Sequence, residues 1–109
     1  ALAQSLAPLG VDLFDCSSGG STPDADIPVG PGYQVHLAER VRADDGMLSG
    51  AVGMITEAAQ AEEIVASGQA DLVFLGRELL RDPYWPAHAA HELGAEFDWP
   101  NQYGWAVGK

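Results

Sequence analysis

Basic residues and cysteine are both scarce in this 109-residue sequence, and each scarcity removes a class of function. Five Lys and Arg stand against 16 Asp and Glu, for a formal net charge of -11. Such a surface repels phosphodiester backbones and anionic lipid, which argues against nucleic acid or a membrane surface as partner and for an acidic, soluble, cytoplasmic protein. Cys16 is the single cysteine, so neither an intrachain disulfide nor a multi-cysteine metal site can form, and a lone thiol fits a reducing compartment. His36, His88 and His91 lack metal-ligand spacing; an isolated HxxH at 88 and 91 with no further ligand leaves no metal site expected. No apolar run approaches the ~18 residues of a membrane span, and Ala1 to Leu6 has no basic region ahead of it that would mark a signal peptide. The sequence opens without methionine in what reads as the end of a helix, so a piece of a longer polypeptide is expected.

What is present is a globular composition, 47% hydrophobic and 19% charged, which is too apolar for intrinsic disorder. Three short apolar runs read as strands: Val11 to Cys16, Leu48 to Met54 and Asp71 to Leu75. Leu72-Val73-Phe74-Leu75 does not alternate, which suits a strand buried on both faces of a parallel sheet. Between the runs, Tyr33 to Asp44 places Val35, Leu37, Ala38 and Val41 at helical spacing. Thr56 to Ser67 has Thr56 as a candidate cap, Glu57 in the first turn and Gly68 as a stop. Glu78 to Leu93 reads as two helices broken by Pro83 and Pro86, and the aromatic segment from Glu96 to Lys109 has no helical period. The class is therefore α/β, three consecutive parallel β-α units. Three such strands leave two open edges, which calls either for further strands or for pairing with copies of the chain.

Two strands end in glycine just before a helix, and both junctions are candidate anion sites. At Leu75-Gly76-Arg77-Glu78, glycine admits a close ligand, the helix start offers free N–H groups, and Arg77 can form a charge-assisted pair with phosphate. The plainer alternative is a surface Arg77 paired with Glu78 or Asp82. At Gly50-Ala51-Val52-Gly53 the glycines either admit a ligand or only permit tight strand–helix packing. The long loop from Ser17 to Gly32 follows the first strand, where Ser18 could line a polar site. Cys16 has no histidine nearby in sequence and is read as a buried, inert thiol.

The strings Gly10 to Gly19 (GVDLFDCSSG), Pro31 to Gln34 (PGYQ), Gly50 to Thr56 (GAVGMIT) and Ala70 to Pro83 (ADLVFLGRELLRDP) resemble the old yellow enzyme family, in its NADPH dehydrogenase and xenobiotic reductase branch. The resemblance implies strands six to eight of a TIM (β/α)8 barrel over residues 1–95, with 96–109 as an aromatic tail. It implies FMN as cofactor, with Gly53, Gly76 and Arg77 at its phosphate and Ser18 nearby. NAD(P)H would reduce the flavin, which would pass hydride to an electron-poor alkene. The family's substrate-orienting histidines, proton-donating tyrosine and flavin-side arginine fall on earlier strands, so no catalytic residue is expected in this chain. The family's tail crosses into a neighbouring subunit of a homo-oligomer, and Trp105 is the residue here that could do so. The final residues, Ala106 to Lys109, are expected to be disordered. Two other readings are a piece of another FMN barrel, such as a dihydroorotate-dehydrogenase-like enzyme, and a non-catalytic fragment that self-associates through its strand edges.

Overall fold

A computed structural model describes residues 2–107; Ala1, Gly108 and Lys109, and with the last two part of the tail expected to be disordered, lie outside the described residues. The chain opens with α1 (Leu2–Leu6) and a 3-10 turn (Ala7–Leu9). Then β1 (Leu13–Cys16), α2 (Val35–Asp45), β2 (Leu48–Val52), α3 (Ala58–Ala66) and β3 (Leu72–Phe74) alternate. Three short helices follow, α4 (Arg77–Arg81), α5 (Trp85–Glu92) and α6 (Asn101–Gly104). The sheet is parallel with order β1-β2-β3, as the crossover lengths predict.

Register explains the layering. Pairing of Asp15 with Gly50 and of Gly50 with Leu72 puts Leu13, Asp15, Leu48, Gly50, Val52, Leu72 and Phe74 on one face. Cys16, Ala51 and Val73 fall on the other, where α2 packs across β1 and β2, α3 packs on β3, and α5 leans on α3. The core lies between these layers, built from Val35, Ala38, Ala51, Ile55, Ala61, Ile64 and Ala70 and edged by Trp85. Small residues at this layer let helix and strand backbones approach closely.

The expectation that β3 is buried on both faces is not met: Leu72 is 47% exposed and Phe74 36% exposed. Among the described residues nothing covers that face, so an apolar surface suited to an interior is left to solvent. The radius of gyration, 16.3 Å, exceeds the ~13 Å of a closed domain of this length. Phe74 does shield one neighbour. A Cβ at Gly50 would overlap its ring, so Gly50 is a packing glycine.

One sequence expectation about helix ends changes, and so does the expectation of a tail without helix. Thr56 is not the cap of α3. Glu57 takes that position without a side-chain cap bond; its carboxylate instead accepts the Thr56 hydroxyl at 3.4 Å, while Gln60 Oε1 accepts the Thr56 N–H at 3.1 Å. The stop at Gly68 holds, with φ +81 and its N–H donating to Val65 O at 3.1 Å. The tail contains one helical turn, α6, which starts after Pro100 where proline is well suited to a helix entry.

At the base of the sheet, Asp71 ties three elements together. Its carboxylate accepts the Ser49 N–H (2.9 Å) and Arg42 Nε (3.2 Å), while Arg42 Nη1 donates to Gly68 O at 2.8 Å. The Ser49 N–H, and then the Arg42 guanidinium, hold the Asp71 carboxyl below the usual carboxylate range against its partial desolvation.

Candidate anion-binding site

The carboxy ends of β2 and β3 open into a cleft of about 360 Å³, within the range of small-molecule sites. Gly53, Gly76 and Arg77 all line it, so the structure brings together three of the residues singled out from sequence. Tyr33, Gln34, Phe74 and Arg81 complete much of its wall.

Arg77 is distinguished by what it lacks. Of the four arginines, Arg40 pairs with Asp44, Arg42 with Asp71, and Arg81 with Glu78 at 2.6 Å. Asp82, the other carboxylate proposed for Arg77, instead faces His88 Nδ1 at 2.6 Å and accepts the Tyr84 N–H at 3.0 Å. Arg77 alone among the arginines has no hydrogen bond or ion pair within the described residues, although the chain carries 16 carboxylates. The surface-pair alternative is therefore not what the fold adopts. With α4 only five residues long, its dipole adds little, and the guanidinium is the main source of positive potential here.

The two glycines differ in the reason for their presence. Gly53 has φ +118, and a Cβ there would lie 2.8 Å from both Gln34 Nε2 and the Tyr33 ring. The fold itself requires that glycine. At Gly76, φ is -98 and an added Cβ would meet nothing within 4 Å. Its open side leaves room beside Arg77 for a group to approach the backbone. A phosphate fits this donor set: one unpaired guanidinium, an open glycine backbone, and a neighbouring carboxylate, Glu78, already engaged by Arg81.

Ser18 stands one step back. Its N–H and hydroxyl both donate to Gln34 Oε1, at 2.6 and 3.3 Å, and Gln34 is the residue that reaches the cleft. Sequence reading missed Gln34, which it treated only as part of the Pro31–Gln34 string. A polar side chain at the foot of an apolar helix face is the signal that could have marked it. Cys16 lies half-buried; burial, and then the Asp15 carboxylate, push its thiol above the ordinary range, which suits an inert group. Trp105 is 72% exposed, its indole N–H donating to Gln102 O at 3.0 Å. Among the described residues no cluster of His, Cys, Asp and Glu could hold a metal ion, and no helix is long and apolar enough to cross a membrane.

Comparison with known proteins gives the chain a family. An NADPH dehydrogenase of Halalkalibacterium halodurans is 55% identical over 102 residues, covering 94% of this chain and 30% of that protein. An NADPH dehydrogenase of Geobacillus thermodenitrificans is 59% identical over 98 residues, 88% of this chain and 28% of that protein. The chain thus spans less than a third of the length of these relatives. Residues 3–96 match the NADH:flavin oxidoreductase / NADH oxidase family, and the chain, as its old yellow enzyme motifs imply, belongs to it.

Proposed function

We propose that this chain supplies the phosphate grip of an FMN-dependent NAD(P)H oxidoreductase that reduces electron-poor alkenes. The observation that carries the reading is the unpaired Arg77 beside the open backbone of Gly76, at the mouth of a parallel sheet. Bound FMN would supply the hydride-transfer chemistry. The chain's own part is to hold the phosphate by Arg77, with Gly53 and Gly76 giving it backbone access, and so to fix where the flavin lies. The same cleft would fit the phosphate of another FMN barrel; the relatives named NADPH dehydrogenase favour an NADPH-using enzyme, and the old yellow enzyme motifs supply the alkene-reductase part of the reading.

The three β-α units are strands six to eight of a (β/α)8 barrel in this reading. The uncovered face of Leu48, Leu72 and Phe74 is then barrel interior, and the open edges of β1 and β3 meet the remaining strands. It follows that residues 1–95 form a partial barrel that is catalytically inactive alone, since the family's substrate-orienting histidines and proton-donating tyrosine have no matching positions in this chain. Self-association through the same edges is the competing use of this surface, and it is opposed by the net charge of -11. The tail from 96 to 109 would meet a second subunit of a cytoplasmic homo-oligomer, with Trp105 as its exposed anchor.

Titration of the chain with FMN and with riboflavin tests the grip. FMN should bind at least about tenfold more tightly, because only it carries the phosphate. Equal affinities would remove the phosphate from the account, and steady NADPH-driven alkene reduction by the chain alone would refute its inactivity.

A further inference from the structure

Gly53 and Met54 form the turn that carries β2 into the cleft, and their backbone is unusual. Gly53 has φ +118, and Met54, at φ +49, is the sole non-glycine with positive φ among the described residues. A side chain in that region is disfavoured unless its surroundings hold it there. The holding bonds converge from outside the turn. Met54 O accepts the Gly32 N–H and Gln60 Nε2, both at 3.2 Å, and Val52 O, immediately before Gly53, accepts Gln34 Nε2 at 3.1 Å.

Gln34 differs from the other two donors in reaching a second segment. It is 4% exposed, and its amide oxygen takes both donors of Ser18 while its nitrogen reaches Val52. The amide has one workable orientation, since the Ser18 N–H can only donate and the Val52 carbonyl can only accept. Gln34 also touches the turn directly, as the contact that an added Gly53 Cβ would make with Nε2 shows.

We propose that Gln34 is the positioning residue of the phosphate cleft: it holds the strained Gly53–Met54 turn in its ligand-binding shape and ties the Ser18 loop to it. The proposal rests on the phosphate reading of the cleft. Ser18 then acts on the ligand through Gln34 and not by contact. Arg77 provides the charge, and Gln34 provides the fixed backbone opposite it.

The test measures FMN affinity by quenching of flavin fluorescence for the unsubstituted chain, Gln34→Met, Met54→Gly and the double variant, with urea unfolding of each as a check on folding. Gln34→Met should weaken binding about tenfold, the usual scale for one lost buried hydrogen bond. Adding Met54→Gly should recover most of that loss, because glycine adopts positive φ without needing to be held. A purely structural role for Gln34 would show no such rescue, since glycine restores no packing. If Gln34→Met does not fold, Gln34→Glu carries the same test. Its second oxygen would oppose Val52 O, so FMN affinity relative to the unsubstituted chain should drop at neutral pH and recover as the new carboxyl protonates in acid. Binding within twofold of the unsubstituted chain, or a double variant no better than the single one, overturns the positioning role alone. Absence of FMN binding by the unsubstituted chain overturns the phosphate reading and this proposal with it.

Discussion

Alanine at Gly53 and alanine at Gly76 should act in opposite ways, although both glycines line one cleft. At Gly53 the backbone sits at φ +118, and the new methyl would lie 2.8 Å from Gln34 Nε2 and the Tyr33 ring. Positive φ costs an L residue roughly 1–2 kcal/mol, and overpacking adds about 1–3 kcal/mol. A loss of ~2–5 kcal/mol is a large share of the stability of a small domain. With a urea slope near ~1.5 kcal/mol/M, the midpoint should fall by about 1.3–3.3 M. At Gly76 the methyl meets nothing within 4 Å, so stability should change by no more than about 0.5 kcal/mol. FMN affinity should instead fall, because the methyl occupies the open side next to Arg77. Urea unfolding and FMN titration of both variants make the comparison. A Gly53→Ala midpoint within ~0.5 M of the unsubstituted chain would refute the steric argument. Unchanged FMN binding by Gly76→Ala would refute the assignment of that open side to the ligand.

Ser49 Oγ is fully buried with no hydrogen-bond partner, so Ser49→Ala should raise stability by about 1 kcal/mol, read as a higher urea midpoint at unchanged slope; destabilisation would mean the hydroxyl has a partner. The Asp71 carboxyl is depressed by the Ser49 N–H and then by Arg42, so its contribution is complete above the ordinary aspartate range and is lost as pH falls through the lower folded value. Asp71→Asn should therefore flatten the acid limb of a stability–pH profile, and an unaltered limb would contradict this. Leu72→Gln should be nearly neutral in this chain, within about 0.5 kcal/mol, yet cost ~2–4 kcal/mol in a polypeptide that includes the rest of the barrel. Equal effects in the two would count against the interior assignment of that face.

The α/β class, the strand order and both glycine-ended junctions were legible in the sequence because each rests on local pattern. Apolar runs set the strands, helical spacing set α2, and Gly68 ended α3. The exposed face of β3 was not legible, since the run from Leu72 to Leu75 reports only that burial is wanted. Whether a second layer is at hand depends on elements outside the pattern. Thr56 stands one residue ahead of the cap of α3, its hydroxyl donating to the Glu57 carboxylate, a contact between chain neighbours that capping rules do not weigh. For Arg77, sequence left two fates open; the fold removed the surface pair by giving Glu78 to Arg81 and Asp82 to His88. Gln34 was missed because its partners, Ser18 and Val52, lie 16 and 18 residues away.

The most direct test of the central claim is the affinity of the chain for FMN before and after Arg77→Ala, with riboflavin as the ligand lacking phosphate. A charge-assisted contact is worth about 1.5–3 kcal/mol, so FMN binding should weaken ~10- to 100-fold while riboflavin binding stays within about twofold. FMN binding that survives the substitution unchanged, or riboflavin binding that falls in parallel with it, would contradict the phosphate grip.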